Sequence, residues 1–431
     1  MRIRHAARVI VAILVVAIPA ARAQILPNPL PELPRVELPV NVGETVEGVT
    51  RELDVRGLTD LRHLKVLELL RSHRREPEAD PAGAPIVRSE VLAFAPSDDA
   101  VAAALSAGFV IVRERKLEGL DARMLVFQSP AGVSTRRALK RLRTLDPGGT
   151  YDYNHIYLEG GAREPEAAPP PLASAGQAAT DSSAGARIGL IDGGLDLGAL
   201  RSPGIHLYGC GGRNVPDAHG TAVASLILGA ADVRGAAPGA ELFAADVYCA
   251  AATGGAIDAV ADALAWLARE HVAVVNISLV GPQNATLGGV VRLLVARGHL
   301  IVAAVGNDGP ASPPLYPAAY PGVVGVTAVD AHRRVLPEAL RGKQVAFAAP
   351  GSDMLAAGAA GSTSVVRGTS YASPIVAGLL AERLREPDAA AAQRAFASLA
   401  LEAVDLGARG IDTTYGNGLV GESIAVRPHP H

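Results

Sequence analysis

Between residues 186 and 382 the chain repeats one alternation, a short apolar run followed by a longer stretch with helical spacing. ARIGLIDGG, AELFAADVYC, VAVVNISL, LIVAAVGN and VVGVTAVD are runs without polar alternation. GTAVASLILGA, AIDAVADALAWLARE and GGVVRLLVARG lie between them, and ASPIVAGLLAERL follows later. A strand apolar on both faces must be covered on both faces, and the helical stretches supply the cover. The pattern predicts an α/β domain over 186–422, a mostly parallel sheet covered by helices on both faces. Reactive groups in such sheets gather at the carboxyl ends of the strands.

Upstream the pattern changes. SEVLAFAP, FVIVRER, LDARMLVFQSP and TYDYNHIYLE read as strands, and SDDAVAAALSAG and SPAGVSTRRALKRLRTLDPGG as capped helices. Their order, β-α-β-β-α-β over 86–159, predicts a small α+β unit of ferredoxin-like type. Residues 160–185 are rich in Pro, Ala and Ser and read as an exposed linker. Residues 24–85 read as poorly structured apart from one short helix in LTDLRHLKVLELLRSH, and 423–431 as a tail.

The first residues belong to neither unit. A basic start, the apolar run VIVAILVVAI and an Ala-x-Ala ending at Ala23 form a signal-peptide pattern over 1–23. An uncleaved anchor is the alternative, but ten apolar residues fall short of the roughly 20 that span a bilayer. The expectation is export to the periplasm or beyond, with no membrane partner after cleavage. In 431 residues the formal net charge is only −3, so no basic surface for nucleic acid is expected. Two cysteines, Cys210 and Cys249, either close one disulfide in an exported protein or stay as buried thiols. No metal-ligand spacing accompanies them, and neither metal nor cofactor is expected.

Three polar residues sit at element ends. Asp192 follows the strand RIGLI, His219 opens the helix of HGTAVASLILG, and Ser370 opens that of SYASPIVAGLL. A serine hydroxyl is a poor nucleophile unless a base takes its proton, and histidine can do so near neutral pH. An aspartate on the other ring nitrogen orients the imidazole and stabilises its positive form. Acyl transfer also needs donors for an oxyanion. Asn307, at the end of LIVAAVGN, and the backbone N–H of Ser370 are candidates.

With IDGG at Asp192, HGTAVA at 219–224, GTSYASP at 368–374, AAVGNDG around Asn307 and YGNGLV near the end, the chain resembles the subtilase family of serine endopeptidases. The resemblance implies hydrolysis of internal peptide bonds in proteins or peptides through an acyl-enzyme on Ser370. It also implies a substrate edge at Ser278, Leu279 and Val280, with Gly306 beside the oxyanion residue. Many exported members carry a ferredoxin-like propeptide that inhibits the site until it is cut off, and 86–159 sits where such a propeptide would. Two departures stand out: Arg367 precedes Gly368 where a small polar residue is common, and Val280 replaces a glycine of the specificity wall. Valine there would narrow the pocket toward small side chains. Asp308 and Asp196 read as turn carboxylates, Asn284 as a formal glycosylation acceptor, and His155 as a histidine without an evident partner. The competing reading is an inactive exported binding or chaperone-like protein that retains its N-terminal unit.

Overall fold

The computed structural model describes residues 61–160, 163–167 and 185–427, except positions 201, 203, 359 and 360. All of them belong to one compact unit, Val49–His431. The signal-peptide segment, the rest of 24–60, most of the linker and the last four residues lie outside the described residues.

The N-terminal part begins with helix α1 (Leu61–Ser72), followed by β1 (Pro77–Ala79), β2 (Pro85–Phe94), α2 (Asp98–Ser106), β3 (Val110–Leu117), β4 (Ala122–Gln128), α3 (Thr135–Leu145) and β5 (Thr150–His155). Strand β2 pairs antiparallel with β1, β4 and β5, and β4 carries β3 on its far edge. Ser97 caps α2 by accepting from Ala100 N–H, as its Ser-Asp-Asp start predicts. One sheet face packs on α2 and α3 through Val91, Leu125, Phe127, Leu139 and Leu142. The other contributes Leu92, Leu117, Met124 and Val126 to the core of the larger part.

Short strands β6 (Leu158–Glu159) and β7 (Arg163–Ala167) follow. The second is a difference from the expected linker: five of its residues form a strand, because an unpaired edge elsewhere in the chain receives them. The larger part then runs β8 (Arg187–Asp192), β9 (Ile205–Gly209), α4 (Ala218–Leu228), β10 (Glu241–Asp246), α5 (Ile257–Arg269), β11 (Val274–Ile277), β12 (Leu279–Val280), α6 (Ala285–Ala296), β13 (Leu300–Ala304) and β14 (Val324–Val329). It ends with β15 (Val345–Pro350), β16 (Ser352–Ala357), β17 (Thr363–Arg367), α7 (Thr369–Ala381) and α8 (Ala389–Glu402).

Seven strands form one parallel sheet in the order β15-β14-β13-β11-β8-β10-β9. Its central strands are buried throughout, which is why they lack polar alternation. Helices α4 and α7 belong to the core on one face, α5 and α6 to the core on the other. The N-terminal sheet covers α5 and α6. Asn154 accepts from Asp258 N–H at the start of α5 (3.2 Å), and Asp152 accepts from Ala285 N–H at the start of α6 (2.7 Å). Two helix N-termini with orphan donors are thus capped by residues of the N-terminal sheet. Arg113 closes the contact, bonding Asp258 at 2.8 Å and Glu90 at 2.5 Å.

Candidate active site

Asp192 is the last residue of β8, so the central sheet fixes its carboxylate. His219 is the second residue of α4, whose N-cap Asp217 accepts from Gly220 N–H at 2.9 Å. Gly220 lets that helix start touch the loop after Asp192, since a Cβ there would lie 2.5 Å from the Gly193 carbonyl oxygen. The approach brings His219 Nδ1 to 2.8 Å from Asp192 Oδ1. An aspartate can only accept there, so Nδ1 carries the proton and Nε2 is the basic atom. Both residues are buried, and Nε2 has no hydrogen-bond partner among the described residues.

Ser370 is the second residue of α7. The preceding Gly368 has φ +140°, a backbone conformation that suits glycine. The ring of Tyr371, next to Ser370, lies 5.4 Å from the His219 ring between centroids. Helices α4 and α7 therefore bring base and hydroxyl to one end of the sheet. Ser370 Oγ has the Ser278 carbonyl oxygen at 3.4 Å.

Asn307 has its side-chain oxygen committed to Thr369 N–H at 3.1 Å. Its Nδ2 is left to face the cleft, where it donates to the backbone carbonyl of Gly160. A methyl group placed on Gly160 would stand 3.1 Å from Ser370 Oγ and 3.8 Å from Val280 Cγ1. A residue of the chain itself thus sits beside both the candidate nucleophile and the candidate oxyanion donor, with its carbonyl bonded to the donor.

The residues before Gly160 are threaded between strand β12 and the Gly255–Ala256 turn. Glu159 and Leu158 pair antiparallel with Leu279 and Val280. On the other side Tyr157 N–H donates to the Gly255 carbonyl at 2.9 Å, and Ile156 bridges Ala256. Tyr157 is fully buried and its hydroxyl donates to the Pro282 carbonyl. Gly281 makes room for its ring, because a Cβ there would overlap the ring at 2.2 Å. Of the expected substrate edge, Leu279 and Val280 meet the docked segment. Ser278 turns its side chain inward to Asn276 Nδ2 (2.9 Å) and the Ser370 carbonyl (3.1 Å). Gly306 has φ +99° beneath Asn307, its N–H donating to Thr369 Oγ1 at 3.2 Å.

Sequence reading missed Tyr157, Glu159, Gly160, Lys65 and Arg62. The Glu159 carboxylate enters beside His219 and Asp217, with acceptor atoms of all three within 4.8 Å of one another. Lys65 of α1 reaches Glu159 at 2.9 Å, and Arg62 of the same helix reaches Asp308 at 2.5 Å. Burial opposes a charged His219, but Asp192, Glu159 and Asp217 outweigh it and raise its pKa to about 9. Burial likewise opposes the Glu159 anion, yet His219 and Lys65 hold its pKa below the ordinary value. Burial, with Glu159 and Asp192 nearby, pushes Asp217 up.

Other expected residues fall elsewhere. Cys210 and Cys249 are joined as a disulfide with Cα atoms 5.2 Å apart. Arg367 turns inward, donating to Glu338 at 3.0 Å and Ser352 at 2.9 Å, so it is part of an internal ion pair. Asp308 is held by Arg62, a difference from the solvated turn expected, while Asp196 accepts from Gly198 N–H in a turn. Asn284 is buried as the N-cap of α6 and donates to Tyr153 O and His155 Nδ1, both at 2.9 Å. His155 in turn has Asp80 at 3.2 Å on its other nitrogen.

Comparison with known proteins agrees with this chemistry. The sequence profile of the subtilase family matches residues 213–418, which include His219, Asn307 and Ser370. Subtilisin BL of Lederbergia lenta is 33% identical over 245 residues, covering 54% of this chain and 89% of that relative. Subtilisin E of Bacillus subtilis (strain 168) is 29% identical over 268 residues, 58% of this chain and 69% of its own. Among solved structures, fervidolysin from Fervidobacterium pennivorans, a keratinolytic enzyme related to subtilisin, superposes with a TM-score of 0.64 at 19% identity. The alignment covers 81% of this chain and 62% of that one, a likeness of fold. On these relatives, with the family profile in agreement, the chain belongs to the subtilase family of serine endopeptidases.

Proposed function

We propose that the described form is an inhibited precursor, captured with its own processing site in the cleft, and that the scissile bond is Gly160–Gly161. The observation that carries this reading is the Gly160 carbonyl, which accepts from Asn307, at a residue where an added Cβ would stand 3.1 Å from Ser370 Oγ. In this reading Ser370 attacks that carbonyl, His219 Nε2 takes the proton, and Asp192 holds Nδ1–H and balances the imidazolium. Asn307 Nδ2 and Ser370 N–H receive the developing oxyanion. His219 then protonates the amine of Gly161, and water releases Gly160 from the acyl-enzyme by the reverse steps.

Residues 86–159 act as a ferredoxin-like prodomain, with α1 as an added clasp, and 186–422 as the catalytic domain. After the cut the prodomain remains a product inhibitor until it dissociates, because Tyr157 and the β6 pairing still fill the cleft. The matured enzyme acts on polypeptides outside the cytoplasm, and Val280 beside the Gly160 site favours small residues before the cut. The test is reaction with a serine-directed fluorophosphonate before and after processing. The processed chain should label on Ser370 once the prodomain has dissociated, and the docked precursor should not. A chain that never processes and never labels would be the retained-prodomain binding protein instead.

A further inference from the structure

The chain on the far side of Gly160 also pairs with the catalytic domain. Strand β7 adds antiparallel to β17, with Arg163 opposite Arg367, Glu166 opposite Val365 and Ala167 opposite Ser364. The other edge of β17 is already occupied by β16, so β7 takes the one edge that remains. Pro165, which has no N–H to give, falls at the register shift of an outer strand, where a missing donor is tolerated. Strand β17 ends at Arg367, three residues before Ser370, and the pairing begins at Arg163, three residues after Gly160.

The same polypeptide is therefore held by backbone pairing twice: against Leu279–Val280 before Gly160, and against Thr363–Arg367 after it. We infer that the free edge of Thr363–Arg367 is a substrate-binding strip for the third to seventh residues after the scissile bond, filled in the precursor by the chain's own residues 163–167. Backbone pairing carries little sequence preference. The strip selects for conformation and length: it takes extended, locally unfolded polypeptide and gives nothing to a peptide that ends two residues after the cut. The inference rests on cleavage after Gly160, since that bond sets the count.

The test uses two self-processed enzymes. One is the natural chain. The other carries Glu166→Pro and Ala167→Pro, which remove two adjacent N–H groups, so that the tethered segment competes less for the strip. Internally quenched peptides share Tyr-Leu-Glu-Gly before the cut and carry either two or seven residues after it. The expected result is a kcat/KM at least about fivefold higher for the long peptide, with the larger gain in the proline variant. The gain should vanish when the sixth and seventh amides after the cut are N-methylated, since adjacent residues of a strand point opposite ways and one of them faces β17. Equal rates for short and long peptides in both enzymes would overturn the strip and leave the proteolytic site standing. A processed chain that cleaves neither peptide would overturn the cleavage reading, and the strip with it.

Discussion

The side-chain amide of Asn307 donates to the backbone carbonyl of Gly160, a residue 147 positions earlier in the chain. The carbonyl fits because the preceding residues are held between Gly255–Ala256 and Leu279–Val280, and because Gly160 has no side chain to press on Ser370 or Val280.

That crowding makes residue 160 sensitive to size. Gly160→Val should slow self-processing by about tenfold or more, since overpacking of about 1–3 kcal/mol at the reacting carbonyl enters the barrier directly. Gly160→Ala should be milder. The appearance of the shortened chain over time, followed by intact mass, measures both. Equal rates for glycine and valine would place the cut elsewhere.

Self-processing should be alkaline-dependent. With its pKa raised to about 9, His219 is mainly imidazolium at neutral pH and has no lone pair for the Ser370 proton. The neutral base accumulates as pH rises, so the rate should climb through pH 9. The groups facing His219 are Asp192, Asp217 and Glu159, with Lys65 behind Glu159. Glu159→Gln removes one of the three carboxylates and should move the profile down by about one pH unit. The same linkage predicts that the N-terminal part, which brings Glu159 to His219, docks more tightly while His219 is protonated and loosens as pH passes through 9. An unchanged profile in the glutamine variant would contradict the electrostatic role of Glu159.

Tyr157 and Lys65 should separate packing from charge in inhibition. Tyr157→Ala empties a closed pocket and should weaken inhibition by the released N-terminal fragment about 100-fold, near 3 kcal/mol. Lys65→Ala breaks a half-buried, partly solvated pair and should cost only about fivefold, less in high salt. Inhibition constants at low and high ionic strength test the difference.

The parallel sheet was legible because β8, β10, β11, β13 and β14 are continuous apolar runs between glycine breaks. Strand β9 was not, because it lies at the sheet edge with His206 and Leu207 exposed and carries no such run. Strand β7 is a strand only because β17 offers it an edge, and its Pro-containing sequence argues for a loop. Asp192, His219, Ser370 and Asn307 could be read because each sits at an element end within a short motif. Glu159, Lys65 and Arg62 could not, because their roles arise from contacts spanning 94 and 246 residues. Arg367 and Asn284 look like surface residues in sequence and are drawn inward by Glu338 and by the N-terminal sheet.

The most direct measurement is the N-terminal sequence and intact mass of the expressed chain, for the natural protein and Ser370→Ala side by side. The natural protein should yield one fragment beginning at Gly161 and a partner ending at Gly160, while the alanine variant stays joined across that bond. Cleavage of the alanine variant at the same bond and the same rate would contradict the account.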